Sequence, residues 1–176
     1  VTPEELGDKW DGGTVHLLRV VDVVHMGRVS AVPEERDAAT ENLAALEADL
    51  ADEGIEVRTT VAEGTPDRMI LAYADEHDVD TIVMGTHGRT GLRRHVLGSV
   101  AEKVVRLADA PVLAVGHVED GDWEAYGDIL VPTDGSVGAE AAIDPAVDVA
   151  SEFDATLHSL SVVDTSALGI DVRSSS

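Results

Sequence analysis

Apolar runs too short for helices alternate along this chain with stretches of helical period, and that alternation restricts the fold more than any other feature. TVHLLRVVDVV (14–24), DTIVMG (80–85), PVLAVG (111–116) and DILVPT (128–133) are nearly continuous and rich in β-branched residues, the pattern of strands covered on both faces. EVRTTVAEG (56–64) and ATLHSLSVVDT (155–165) read as two more strands. Pro33 opens a helical pattern through Glu53, with Ala39, Leu43, Leu46 and Leu50 on one stripe and Gly54 as its stop. Thr65-Pro66 reads as the cap and first position of a helix to about His77. Ser99-Val100-Ala101-Glu102 reads as a capping box opening a helix to about Asp109, and Ser136 to Glu152 as a last helix. Strands alternating with helices predict an α/β fold, an open parallel sheet with helices on both faces.

The composition narrows the chemistry. Forty-four per cent of residues are hydrophobic and only five are aromatic, so the core is built from Val, Leu, Ile and Ala. With no cysteine there are no disulfides, no thiolate metal ligands and no thiol nucleophile. No apolar run approaches the ~20 residues that cross a bilayer, and VTPEELGDKWDGG lacks the basic flank of a secretory signal. A soluble, cytoplasmic protein is the expectation. The net charge of -23 repels nucleic acid and anionic membrane, so neither is expected as a partner. Lys9 and Lys103 are the only lysines beside ten arginines; many acids, few lysines and a small-residue core point to a halophilic protein, working in salt that screens such charge.

One repeat bears on organisation. TVHLLRVVDV (14–23) and TLHSLSVVDT (156–165) share six of ten residues at an offset of 142 positions, about one α/β domain. The chain therefore reads as residues 1–116 of one domain, a polar linker at 117–127, the opening of a second copy at 128–165, and a frayed tail at 166–176.

In such sheets ligands sit outside the carboxyl ends of the strands, where two glycine stretches follow strands directly. Gly85 ends one strand, Gly88 follows, and Gly98-Ser99 starts a helix. Glycine lets backbone N–H groups approach a bulky ligand, and a helix N-terminus favours an anion. Arg89, Arg93, Arg94, Lys103 and Arg106 place five of twelve basic side chains within 85–106, where Glu102 is the only acid. This island suggests a phosphorylated ligand; alternatively, the glycines only shape a turn and a helix start. Neither GxxxxGK[ST] nor GxGxxG is present.

The segment GTHGRTGLRRHVLGS matches G-x2-G-x9-G-[S/T], and with VPTDGS (131–136), the two VVD stretches and PVLAV (111–115) the chain resembles the universal stress protein family over nearly its whole length. The resemblance implies strand order 3-2-1-4-5 and, because this glycine pattern marks the ATP-binding branch, an adenine nucleotide as ligand. It implies Gly85 and Gly88 beside the ribose and first phosphates, and Gly98, Ser99 and Val100 on the phosphates, with Arg89 near their oxygens. Pro132, Thr133 and Asp134 would form the adenine-side wall, and Val20 or Val162 would bond adenine through its backbone. Magnesium would ride on the phosphates, since no carboxylate cage is visible. Ser99 cannot fully serve as both helix cap and phosphate ligand, so an exchange on binding is expected.

The order of strands is awkward. Mapped on that family, the chain supplies strands 2, 3, 4 and 5, then strands 1 and 2 again. An open sheet cannot keep an empty centre. Residues 128–133 can close it within one chain or by exchange in a homodimer, or the centre belongs to a longer tandem protein.

Other chemistries find less support. His16 and His158 occupy equivalent strand positions and read as packing or edge residues, His87 as exposed, and no histidines show ligand spacing. Ser136 lacks GxSxG and reads as a helix cap. No catalytic set is seen, which leaves at most slow ATP hydrolysis. Two classes remain: a nucleotide-binding regulatory module, or a dimerisation or docking module without nucleotide, such as a soluble partner of a transporter.

Overall fold

A computed structural model describes residues 13–23, 32–86, 97–116 and 126–162. The chain divides into two compact units, Val1–Trp123 and Glu124–Ser176. Calls on Gly88, Arg89, His87, Arg93, Arg94, most of the linker and the tail from 163 onward lie outside the described residues.

In the first unit, strand β1 (Thr14–Val21) pairs in parallel with β2 (Glu56–Glu63), from Thr14 against Glu56 to Val21 against Glu63. Helix α1 (Val32–Asp52) connects them and packs on both. Its Ala39 and Leu43 are buried, but Leu46 from the same expected stripe is 49% exposed. A 21-residue helix outruns the two strands it covers, so the apolar period alone overstates how much of the helix is covered.

Helix α2 (Pro66–Glu76) leads to β3 (Ile82–Gly85), and α3 (Ser99–Leu107) joins β3 to its parallel partner β4 (Val112–Val115). Helices α2 and α3 pack together. Ala101 and Val104, one turn apart on α3, are among the most buried side chains of the chain. Asp67, in the first turn of α2, is also buried, and Lys103 of α3 meets its Oδ1 at 3.2 Å. Thus one of the two lysines joins two helices.

In the second unit, β5 (Asp128–Thr133) pairs in parallel with β6 (Thr156–Ser161), with Val131 and Ala150 buried. The single helix expected over 136–152 is two, α4 (Val137–Glu140) and α5 (Ile143–Glu152). Pro145 is the reason: it has no N–H for the Ala141 carbonyl and its ring crowds that group, so the helix restarts at Ala142, whose carbonyl accepts from Ala146 at 3.2 Å.

The fold is therefore α/β with parallel strands in an open arrangement. Its three pairs, β2-β1, β3-β4 and β5-β6, are the neighbours 3-2, 4-5 and 1-2 of the expected order 3-2-1-4-5. Among the described residues of the first unit the two pairs are not hydrogen-bonded to one another.

Candidate functional site

The site starts where β3 ends. Gly85 is the last residue of the strand and aligns with Val115 of β4. Thr86 N–H donates to the Val115 carbonyl at 2.8 Å, and the Thr86 carbonyl accepts from Gly98 N–H, also at 2.8 Å. These bonds draw the end of β3 against the start of α3 and form a neck between them. A Cβ on Gly98 would lie 2.9 Å from the Thr86 oxygen. Gly98 has ordinary extended angles, φ -61° and ψ 149°, so what requires glycine is close approach, not a left-handed backbone.

This neck corrects the expected cap. Ser99 is the first helical residue, and Gly98 is the cap, with no side chain to offer. Glu102 N–H donates to the Gly98 carbonyl at 2.8 Å, the first bond of the helix. The hydroxyl of Ser99 therefore has no capping duty and need not change partners when a ligand arrives. The N–H groups of Ser99, Val100 and Ala101 have no acceptor within the helix, as in any first turn, and carry its partial positive charge.

The basic island contributes less than its residue count implied. Lys103 is engaged by Asp67, and Arg106 lies in the last turn of α3, far from the glycines. Val20 lies one residue before the carboxyl end of β1, aligned with Ala62.

The second glycine turn belongs to the second unit. Pro132 and Thr133 end β5, and Val162 directly follows β6 and is 71% exposed. Thr133 Oγ1 accepts from Gly135 N–H at 3.1 Å, Asp134 Oδ1 from Ser136 N–H at 2.9 Å, and Ser136 Oγ from Ala139 N–H at 3.2 Å. Ser136 is thus the helix cap the sequence implied. The hydrogen bonds from the side chain and backbone of Ser136 hold the Asp134 carboxyl below the usual carboxylate range. Gly135 has φ +77°, a conformation that favours glycine.

Sequence reasoning missed an aromatic group in the first unit. His16 Nδ1 meets Tyr73 Oη at 2.9 Å, Tyr73 stacks on His77 at 4.0 Å, and Thr60 Oγ1 lies 3.3 Å from the same phenol. Burial, then Arg58, then His77 lower the His16 pKa below its ordinary value. The spacing of Tyr73 and His77, four apart on a helix, was the available signal. Thr86 was also missed: it acts through its carbonyl, which no residue type announces. Among the described residues no group of three or more His, Asp or Glu could hold a metal ion.

The model of the universal stress protein family matches residues 5–116 and 125–174. The chain is 48% identical over 62 residues to universal stress protein MJ0531 of Methanocaldococcus jannaschii, covering 35% of this chain and 36% of that one. It is 35% identical over 103 residues to MJ0577 of the same organism, covering 58% and 62%. The matched stretches thus span less than two thirds of either relative. Among solved structures, that of MJ0577 superposes with a TM-score of 0.56 at 28% identity, covering 66% of this chain and 88% of that one. A universal stress protein from Archaeoglobus fulgidus superposes with a TM-score of 0.72 at 23% identity, covering 94% and 64%; at that identity the likeness speaks to fold alone.

Proposed function

The chain belongs to the universal stress protein family, and from that premise we propose that it is a regulatory module that binds an adenine nucleotide, ATP with magnesium first among them. One observation carries the reading: the start of α3, free of any side-chain cap, is held at the carboxyl end of β3 by the Gly98–Thr86 bond. Phosphates would lie on the N–H groups of Ser99 and Val100 with the Ser99 hydroxyl beside them, and the ribose would lie near Gly85. Gly88 and Arg89 would act from the segment between. The Pro132–Asp134 turn and the backbone of Val20 or Val162 would flank the adenine. Magnesium would be held by phosphate oxygens, not by a protein cage. Bound ATP would set conformation or partner choice in the cytoplasm, with hydrolysis slow at most.

Equilibrium dialysis of ATP in concentrated potassium chloride with magnesium tests this reading, and saturable binding is the expected result. Ser99→Pro is the sharpest variant. Proline suits the first helical position, and the extended Gly98 before it already has the angles proline favours. The helix should survive while one N–H and the hydroxyl are lost, so binding should weaken about tenfold or more, at ~1–1.5 kcal/mol per lost bond.

A second reading has an observation of its own. Since a Cβ at Gly98 would strike the Thr86 carbonyl, that glycine is explained by packing alone, as a docking or dimerisation module without nucleotide would require. Folded protein that binds no ATP would select it.

A further inference from the structure

One ion pair joins a buried acid to the helix whose first turn would receive the phosphates. Asp67, the second residue of α2, is only 7% exposed. Its Oδ1 lies 3.2 Å from Nζ of Lys103, whose side chain is 45% exposed. A carboxylate held so far out of water needs a counter-charge, and Lys103 supplies it. Yet an apolar pair of similar volume would join α2 to α3 about as well, because a buried ion pair gains little beyond its desolvation cost. What this pair adds is an ammonium on the surface of α3.

Helix geometry fixes where that ammonium stands. Ser99 and Lys103 are four residues apart on α3, so they share a face, and both are exposed. The Lys103 Cα lies about 6 Å along the axis from that of Ser99. Side chains on a helix lean toward its N-terminus, and the four-carbon stem of lysine reverses most of that distance. The contact with Asp67 agrees, since it lies in the first turn of α2. The charge thus stands near the level of the Ser99 and Val100 N–H groups. An ammonium has three protons to donate; one points to Asp67 and two remain.

We propose that Lys103 is a phosphate ligand of the bound nucleotide, and that Asp67 is the counter-charge with which the phosphates compete for it. The inference rests on the nucleotide reading. In the free protein the pair is close to neutral, so the first turn of α3 carries no standing excess of positive charge from it. Phosphates then share the ammonium with Asp67, which keeps part of its attraction. Coulomb attraction grows with the charge opposed to it, so Lys103 favours ATP over AMP.

Equilibrium dialysis of ATP and AMP with magnesium tests this on the parent chain and three variants. Concentrated potassium chloride screens charges that are not in contact, so the differences report contact and not a distant field. Lys103→Met keeps the stem, and it should weaken ATP about tenfold or more, as loss of a charged hydrogen bond does, and AMP less. Asp67→Asn should tighten ATP about threefold, since the competing charge is gone. The double variant, D67N with K103M, leaves no lone buried acid and guards against a K103M chain that misfolds, with circular dichroism as the check. It should bind ATP about tenfold more weakly than Asp67→Asn alone. Equal binding by those two would mean that Lys103 touches no phosphate, and the proposal fails. If Asp67→Asn binds ATP no better than the parent, Asp67 does not compete and the pair is only a tie between helices. A parent chain that binds no ATP overturns the nucleotide reading and this inference with it; binding that every variant retains unchanged overturns this inference alone.

Discussion

Two turns lead from the carboxyl end of a strand into a helix, and they are built in opposite ways. At Thr133–Ser136 three side chains fold back onto the next few N–H groups, so the turn is held by local polar contacts. Where β3 meets α3, backbone groups of Thr86 and Gly98 bond to one another, and among the described residues no side chain caps the helix. A turn that satisfies itself can serve as a wall; one that leaves its side chain and first N–H groups uncommitted can serve as a receptor for an anion.

Gly98→Ala should break this contrast hardest. The new methyl meets a backbone oxygen at 2.9 Å, which cannot swing aside, so we expect a loss of about 1–3 kcal/mol, read as a lower thermal midpoint. Gly135→Ala should do less. Its methyl meets nothing within 4 Å, leaving only the left-handed backbone to oppose it, at roughly 1 kcal/mol or slightly more. A smaller difference separates the two serines: Ser136→Ala removes a working cap, for about 0.5–1 kcal/mol, whereas Ser99→Ala should leave stability within about 0.5 kcal/mol and weaken only ATP binding. Urea midpoints with and without ATP check both.

The smallest effect is one of pH. Because the Asp134 pKa is lowered in the folded chain, its stabilising contribution is complete above the unfolded value, near 3.9. It is lost as pH falls through the folded value. Asp134→Asn should therefore flatten a slight decline in urea midpoint between about pH 5 and pH 3. An unchanged decline would assign it to other carboxylates.

The strands were legible because short β-branched runs have few alternatives, and β5 begins and ends where the sequence placed it. The expected cap at Ser99 failed for a physical reason: S-x-x-E is a local signal, while the cap fell to Gly98 through its bond to Thr86, twelve residues before it. Pro145 was legible but outweighed by the apolar period around it. The repeat was visible, yet its two copies differ in surroundings. Every residue of β6 is exposed, whereas β1 is half-buried to buried along its length, because α1 and α2 both pack on β1 while the packing of α5 on β6 is slighter. Sequence specifies what a strand can pair with; its neighbours decide how much of it is covered.

The neck at Thr86 and Gly98 has a bearing on how such a protein diversifies. Once two backbone groups fix the ends of a segment, its length has little influence on the scaffold, since doubling a closed segment costs only about 0.6 kcal/mol. Residues 87–97 are then open to insertion, deletion and recombination under selection, while the sheet inherits its geometry unchanged. A lineage can revise that stretch of sequence without relearning how to fold.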